Sequence, residues 1–155
     1  MKLETHIVFG VGVSSIVFTL SSCRGFCLLG GLGLVVLEQY LIDLLSHERR
    51  GGHVRRTKLF HSLSGVLFLS TVLSLIYSIL IINSNVLDSI LIVFPGVFIG
   101  GLSHLFLDAL NPGGVYFRGR RVRLLSVEYD DFAWNILFQF LGLLSILFNI
   151  KFYID

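Results

Sequence analysis

Charge is scarce in this chain, and what there is of it is unevenly spread. Asp, Glu, Lys and Arg make up 14% of the 155 residues, against 54% hydrophobic ones, and the mean hydropathy is +0.84. That balance excludes an ordinary soluble domain, which carries more charge and less apolar surface. Nine of the twelve Lys and Arg residues sit in two short stretches, Arg49 to Lys58 and Arg118 to Arg123, with long apolar runs between them. The net charge of +2 is therefore uninformative, and its distribution is what matters. Cysteine is nearly absent as well. Cys23 and Cys27 are too few for a disulfide framework and lack the second pair of a zinc-finger signature, so they read as ordinary residues of an apolar face. The chain also lacks a His-Glu-x-x-His metalloprotease motif, a Gly-x-Ser-x-Gly elbow and a P-loop. Nucleic acid is not expected as a partner, because neither basic stretch has interleaved aromatics for base stacking and both are pressed against the membrane.

What is present is length in the apolar runs. A spanning helix needs about 20 mainly apolar residues, and five runs qualify: Ile7–Ser22, Phe26–Leu45, Leu63–Ile82, Leu87–Leu110 and Phe132–Ile150. They lack the alternation of barrel strands and are too long for them. The expected fold is all-α, a single integral membrane bundle of about five transmembrane helices over residues 1–155. With five spans, ten of the twelve Lys and Arg fall on one side, and only Arg24 and Lys151 on the other. Basic loops stay cytoplasmic, which predicts a multi-pass protein of the cell membrane with its N terminus inside. The run up to Leu20-Ser21-Ser22-Cys23 also has the layout of a lipoprotein signal. Glu4 offsets the basic Lys2 there, and a retained helix is the expectation. Pro95-Gly96 should kink the fourth span, Gly96-x-x-x-Gly100 offers a small-residue strip for close helix approach, and Asn111-Pro112-Gly113-Gly114 should end that helix sharply.

Ionisable residues gather at the basic ends of the spans. Asp43 and His47 are four apart at the end of span two, and His104 and Asp108 are four apart near the end of span four. On a helix such pairs share a face. Packing the two helices side by side would bring two His and two Asp together as metal ligands. His6 starts span one and His61 starts span three at the same level. Mixed imidazole and carboxylate ligands suit zinc, manganese or iron rather than calcium, and six candidates leave room for two metals. Gln39 lies one turn deeper than Asp43 on the same face, placed either to orient a ligand or to bond a neighbouring helix. Glu38 lies off that face and is unassigned. His53 reads as a loop residue. Glu128, Asp130 and Asp131 read first as solvated carboxylates at a helix start. The basic stretches suit an anionic headgroup or a phosphoryl group.

Thr5-His6, Ile42-Asp43 with His47-Glu48, Arg55-Arg56-Thr57 leading to His61-Ser62, and His104-x-x-x-Asp108 followed by Asn111-Pro112-x-Gly114 resemble the YdjM-like family of membrane-bound metal-dependent hydrolases. The resemblance runs from Thr5 to Gly114. It implies a helical membrane protein that binds a divalent metal, zinc or manganese, through His6, Asp43, His47, His61, His104 and Asp108. The expected activity is hydrolysis at the cytoplasmic face, on phosphoester or lipid headgroup substrates among the membrane lipids. Two departures stand out: the family's Thr-His-Ser is here Phe60-His61-Ser62, and its Asp-x-Asp-His block is reduced to Asp43 followed by His47. The alternatives are a metal-binding or transport protein without hydrolysis and a non-catalytic membrane scaffold.

Overall fold

The computed structural model describes residues 1–50, 53–82 and 86–154, with the backbone alone described at 46–50, 53–56, 81–82 and 151–154. Five helices run in the order α1 (Leu3–Leu20), α2 (Phe26–Ser46), α3 (Leu63–Tyr77), α4 (Val86–Leu110) and α5 (Phe132–Ile154). A wider π-helical turn over Ser78–Ile82 carries α3 onward. All five are long and apolar enough to cross a membrane. The chain is an all-α, multi-pass membrane bundle, and its large apolar side chains face outward, as Leu91 on α4 and Leu147 and Phe148 on α5 do. Such a surface is at home only among lipid tails.

Two short antiparallel hairpins add strand to what the sequence analysis treats as loops: β1 (His47–Arg50) with β2 (His53–Arg56), and β3 (Val115–Phe117) with β4 (Arg120–Val122). His53 therefore opens a strand. Both hairpins lie at one end of the bundle. There Tyr116 N–H donates to the His61 carbonyl at 2.7 Å, and Lys2 N–H, just before α1, donates to Asn135 Oδ1 on α5 at 3.1 Å. The starts of α1, α3 and α5 and the ends of α2 and α4 thus share this basic end.

Local chemistry sets several of these boundaries. Ser62 caps α3, its hydroxyl accepting from Gly65 N–H at 3.2 Å. Asp131 does the same for α5, accepting from Trp134 N–H at 3.0 Å, so it is a helix cap. The expected sharp end of α4 falls at Leu110, where Asn111 N–H returns to the Asp108 carbonyl at 3.1 Å and Gly114 turns with φ +58°. Cys23 and Cys27 overturn their reading as ordinary apolar residues. They form a disulfide, because α1 has ended and α2 is only starting, which leaves their Cα atoms 5.4 Å apart across the turn.

Small residues let the helices close up. A Cβ at Gly96 would run into Phe18, and one at Gly100 into Val35 and Ser14, so the Gly96-x-x-x-Gly100 strip receives α1 and α2. Gly142 on α5 packs directly on the backbone of α1, where an added Cβ would collide with the Val8 carbonyl. The Gln139–Thr5, Thr5–Asn135 and Asn149–Ser15 hydrogen bonds cross the same interface. Each such bond is worth only about 0.6 kcal/mol in a membrane, so the close backbone packing carries more. Gly142→Ala should lower stability by about 2 kcal/mol through overpacking. Gly33→Ala, at a position with nothing within 4 Å, should leave it unchanged or slightly raised. Thermal unfolding in one detergent checks the pair.

Candidate metal centre

Five ionisable side chains, from α1, α2, α4 and the segment leading into α3, meet at the basic end. His6 comes from the first turns of α1, which begins at Leu3 rather than at Ile7, and His61 from the residue preceding the Ser62 cap. Asp43 lies near the end of α2, and His104 and Asp108 lie one turn apart on α4. His6, His61, His104 and Asp108 are buried, while the Asp43 side chain keeps 25% of its surface exposed. Asp43 therefore marks the accessible side of the group.

The side chains lie within ion-pair distance of one another. His104 Nε2 lies 3.5 Å from Asp43 Oδ1 and 3.4 Å from Asp108 Oδ2. His6 Nε2 lies 3.7 Å from Asp108 Oδ1, and His61 Nε2 lies 2.9 Å from Asp108 Oδ2. Ligand atoms about 2.1 Å from a zinc-sized ion stand roughly 3.4 Å apart around a tetrahedron. His6, His104 and Asp108 each offer an atom within 4.8 Å of the others, and so do Asp43, His61 and His104. His104 belongs to both sets. Its ring stacks on His6, with centroids 4.0 Å apart, and meets His61 edge-on.

Gln39 decides which nitrogen of His104 is available. Its Nε2 donates to the Gly100 carbonyl at 2.8 Å, and its Oε1 lies 2.8 Å from His104 Nδ1. A carbonyl only accepts, so the amide nitrogen must face Gly100 and the amide oxygen must face the ring. Nδ1 then carries a hydrogen, and Nε2 is the ring nitrogen that faces the two carboxylates. Gln39 thus performs both roles open to it in the sequence, bonding a neighbouring helix and orienting a ring.

His47 does not share a helical face with Asp43. The helix ends at Ser46 and His47 opens β1, opposite Arg56, and its side chain lies outside the described residues. The β1–β2 pairing thus begins directly where the helix stops. Glu128 and Asp130 are exposed and stand outside the group.

Three polar residues bear on the site without having been assigned to it. Asn111 Nδ2 donates to Asp108 Oδ1 at 3.3 Å. Asn135 accepts from the Thr5 hydroxyl at 2.7 Å, which anchors the turn of α1 that carries His6. Glu38 is fully buried against α3 and α4. Its Oε1 accepts from the Ser70 hydroxyl at 2.6 Å, and the Gly101 backbone is too close for a Cβ. A carboxyl inside a span is the sequence signal that would have singled it out.

The chain belongs to a family described as a protein of unknown function, DUF1286, whose profile matches residues 1–107. His6, Asp43, His61 and His104 fall inside the matched segment, and Asp108 follows it by one residue. No curated protein and no solved structure matches the chain.

Proposed function

We propose that this protein is a membrane-bound, metal-dependent hydrolase of the cytoplasmic leaflet that acts on phosphoester or lipid headgroup bonds. The observation that carries the reading is the convergence on His104. A buried ring nitrogen facing two carboxylates is an arrangement that a cation shared among them, a metal ion or a proton, would satisfy. Imidazole and carboxylate donors favour zinc or manganese. Bound there, a divalent ion would lower the pKa of a water and polarise the scissile group.

The chain's own residues divide the remaining work. His6, His61 and His104 supply neutral nitrogens, and Asp108 supplies charge from within the core. Asp43, partly exposed, lies where a substrate would approach. The exposed arginines Arg118, Arg120 and Arg123 provide positive charge at the same end for an anionic group. The resemblance to YdjM-like hydrolases supports this assignment. Orientation is supported twice: the basic residues concentrate at the site's end, and the Cys23–Cys27 disulfide lies at the opposite end, as expected of the oxidising side. Transport is less well supported, since a carried ion is held near mid-membrane and these ligands lie toward one end.

Metal content by mass spectrometry, on detergent-purified protein before and after loading with zinc or manganese, tests the proposal. The unaltered protein should carry stoichiometric metal, and a folded Asp43→Ala, His104→Ala variant should not. The loaded protein should then cleave phosphoester lipids in nanodiscs. Metal no higher in the unaltered protein than in the variant would overturn the site. Stoichiometric metal without hydrolysis of any lipid or soluble phosphoester would overturn the activity and leave a metal-binding membrane protein.

A further inference from the structure

A groove of about 590 Å³ lies between the start of α3 and the β3–β4 hairpin, on the flank of the bundle beside the metal centre but separate from it. We propose that it binds one anionic phospholipid of the adjoining leaflet, with the phosphate between Lys58 and Arg118. The site requires neither metal nor catalysis, so it goes beyond the hydrolase reading.

The lining divides into a charged rim and an apolar floor. Lys58, just before α3, and Arg118, in the β3–β4 turn, both line it, and among the described residues no acidic side chain does. Among the described residues neither cation is ion-paired. Each rests on an aromatic ring instead, Lys58 Nζ at 5.9 Å from the Tyr116 centroid and Arg118 Cζ at 5.5 Å from that of Phe117. Two exposed cations with no ion-pair partner among the described residues give the groove a positive rim suited to an anion. The Ser62 and Ser64 hydroxyls lie 3.0 Å apart in the same rim. Ser62 gives its one hydrogen to the Leu59 carbonyl and accepts from Gly65 N–H, so Ser64 is the donor in the Ser62–Ser64 bond; what this rim offers a phosphate is the positive end of α3 beside the two cations.

Below this rim the groove is lined by Leu63 and Leu67, both exposed on α3, with Phe117 opposite. Leu67 continues into the outward apolar face of the helix beside Phe68. A soluble phosphate would leave that floor bare, whereas a lipid would cover it with the upper part of an acyl chain while its headgroup stays in the interface. Cavities of this size hold ligands of several hundred Å³, which fits a phosphoglycerol group and the first methylenes of a chain.

The experiment is native mass spectrometry of the full-length protein, released from detergent in the presence of dioleoyl phosphatidylglycerol, dioleoyl phosphatidylcholine or glycerol 3-phosphate. One phosphatidylglycerol should be retained at least tenfold more strongly than phosphatidylcholine, and glycerol 3-phosphate should not be retained. The exposed double change Lys58→Gln, Arg118→Gln should reduce phosphatidylglycerol retention at least tenfold, while Arg120→Gln, Arg123→Gln should not. Equal retention of both lipids, unchanged retention by the first variant, or an equal loss in the second would overturn the assignment. Retention of glycerol 3-phosphate as strongly as the lipid would overturn it in favour of a plain phosphate site. Metal content in the same samples reports on the hydrolase reading separately.

Discussion

Asp108→Ala is expected to bind zinc more than a hundredfold more weakly than the unaltered protein and to unfold at a lower temperature in the same detergent. Asp108 is the one residue of the group whose carboxylate faces three imidazoles: Oδ1 lies 3.7 Å from His6 Nε2, and Oδ2 lies 2.9 Å from His61 Nε2 and 3.4 Å from His104 Nε2. Residues that merely orient metal ligands cost about 10–100-fold in affinity when removed. A ligand at the centre of the set must exceed that. Stability falls for a separate reason, since buried polar groups left without their partner cost about 1–3 kcal/mol, and Asn111 loses its acceptor as well. Asp108→Asn separates the two effects. It preserves volume and one oxygen but not the charge, so its unfolding should remain near that of the unaltered protein while metal binding is lost. Calorimetric zinc titration and thermal unfolding of both variants give the answer. Native zinc affinity in Asp108→Asn would make Asp108 a hydrogen-bonding partner and no ligand.

The parts of this protein that were legible in its sequence are those set by periodicity and charge. Five apolar runs became five helices, and the basic residues marked the end where His6, Asp43, His61, His104 and Asp108 meet. The four-residue spacing of His104 and Asp108 works as expected because α4 continues unbroken through it. The same spacing at Asp43 and His47 does not fall within one helix, because a helix has no fixed end in its apolar pattern and β1 begins at His47, whose side chain lies outside the described residues. What hydropathy could not express was pairing across the turn and across the bundle. The Cys23–Cys27 disulfide depends on where α1 stops. The Glu38–Ser70 and Thr5–Asn135 bonds join residues far apart in the chain, whose meeting depends on how the helices rotate against one another. Glycine was the most dependable signal for that rotation: Gly96 and Gly100 pointed to where α4 receives its neighbours.

Gln39 connects these levels, and its replacement gives the second large expected effect. Gln39→Leu should weaken zinc binding about 10–100-fold, the usual cost of losing an orienting partner, without unfolding the bundle. In the unaltered protein the amide spans α2 and α4, donating to the Gly100 carbonyl and accepting from His104 Nδ1, both at 2.8 Å. Leucine has nearly the same bulk, so the fit beside Gly10 and Gly100 survives, but His104 loses the acceptor that holds its hydrogen on Nδ1. The ring is then free to place that hydrogen on Nε2, where it would donate to a carboxylate instead of receiving a metal. Gln39→Glu makes the opposite comparison. A carboxylate accepts from Nδ1 at least as well as an amide does, yet it cannot donate to Gly100. If ring orientation is what Gln39 contributes, Gln39→Glu should retain zinc far better than Gln39→Leu while unfolding earlier. Equal zinc affinities in the two variants would show that Gln39 serves the helix contact alone, and nitrogen chemical shifts of His104 in labelled protein would record the tautomer directly.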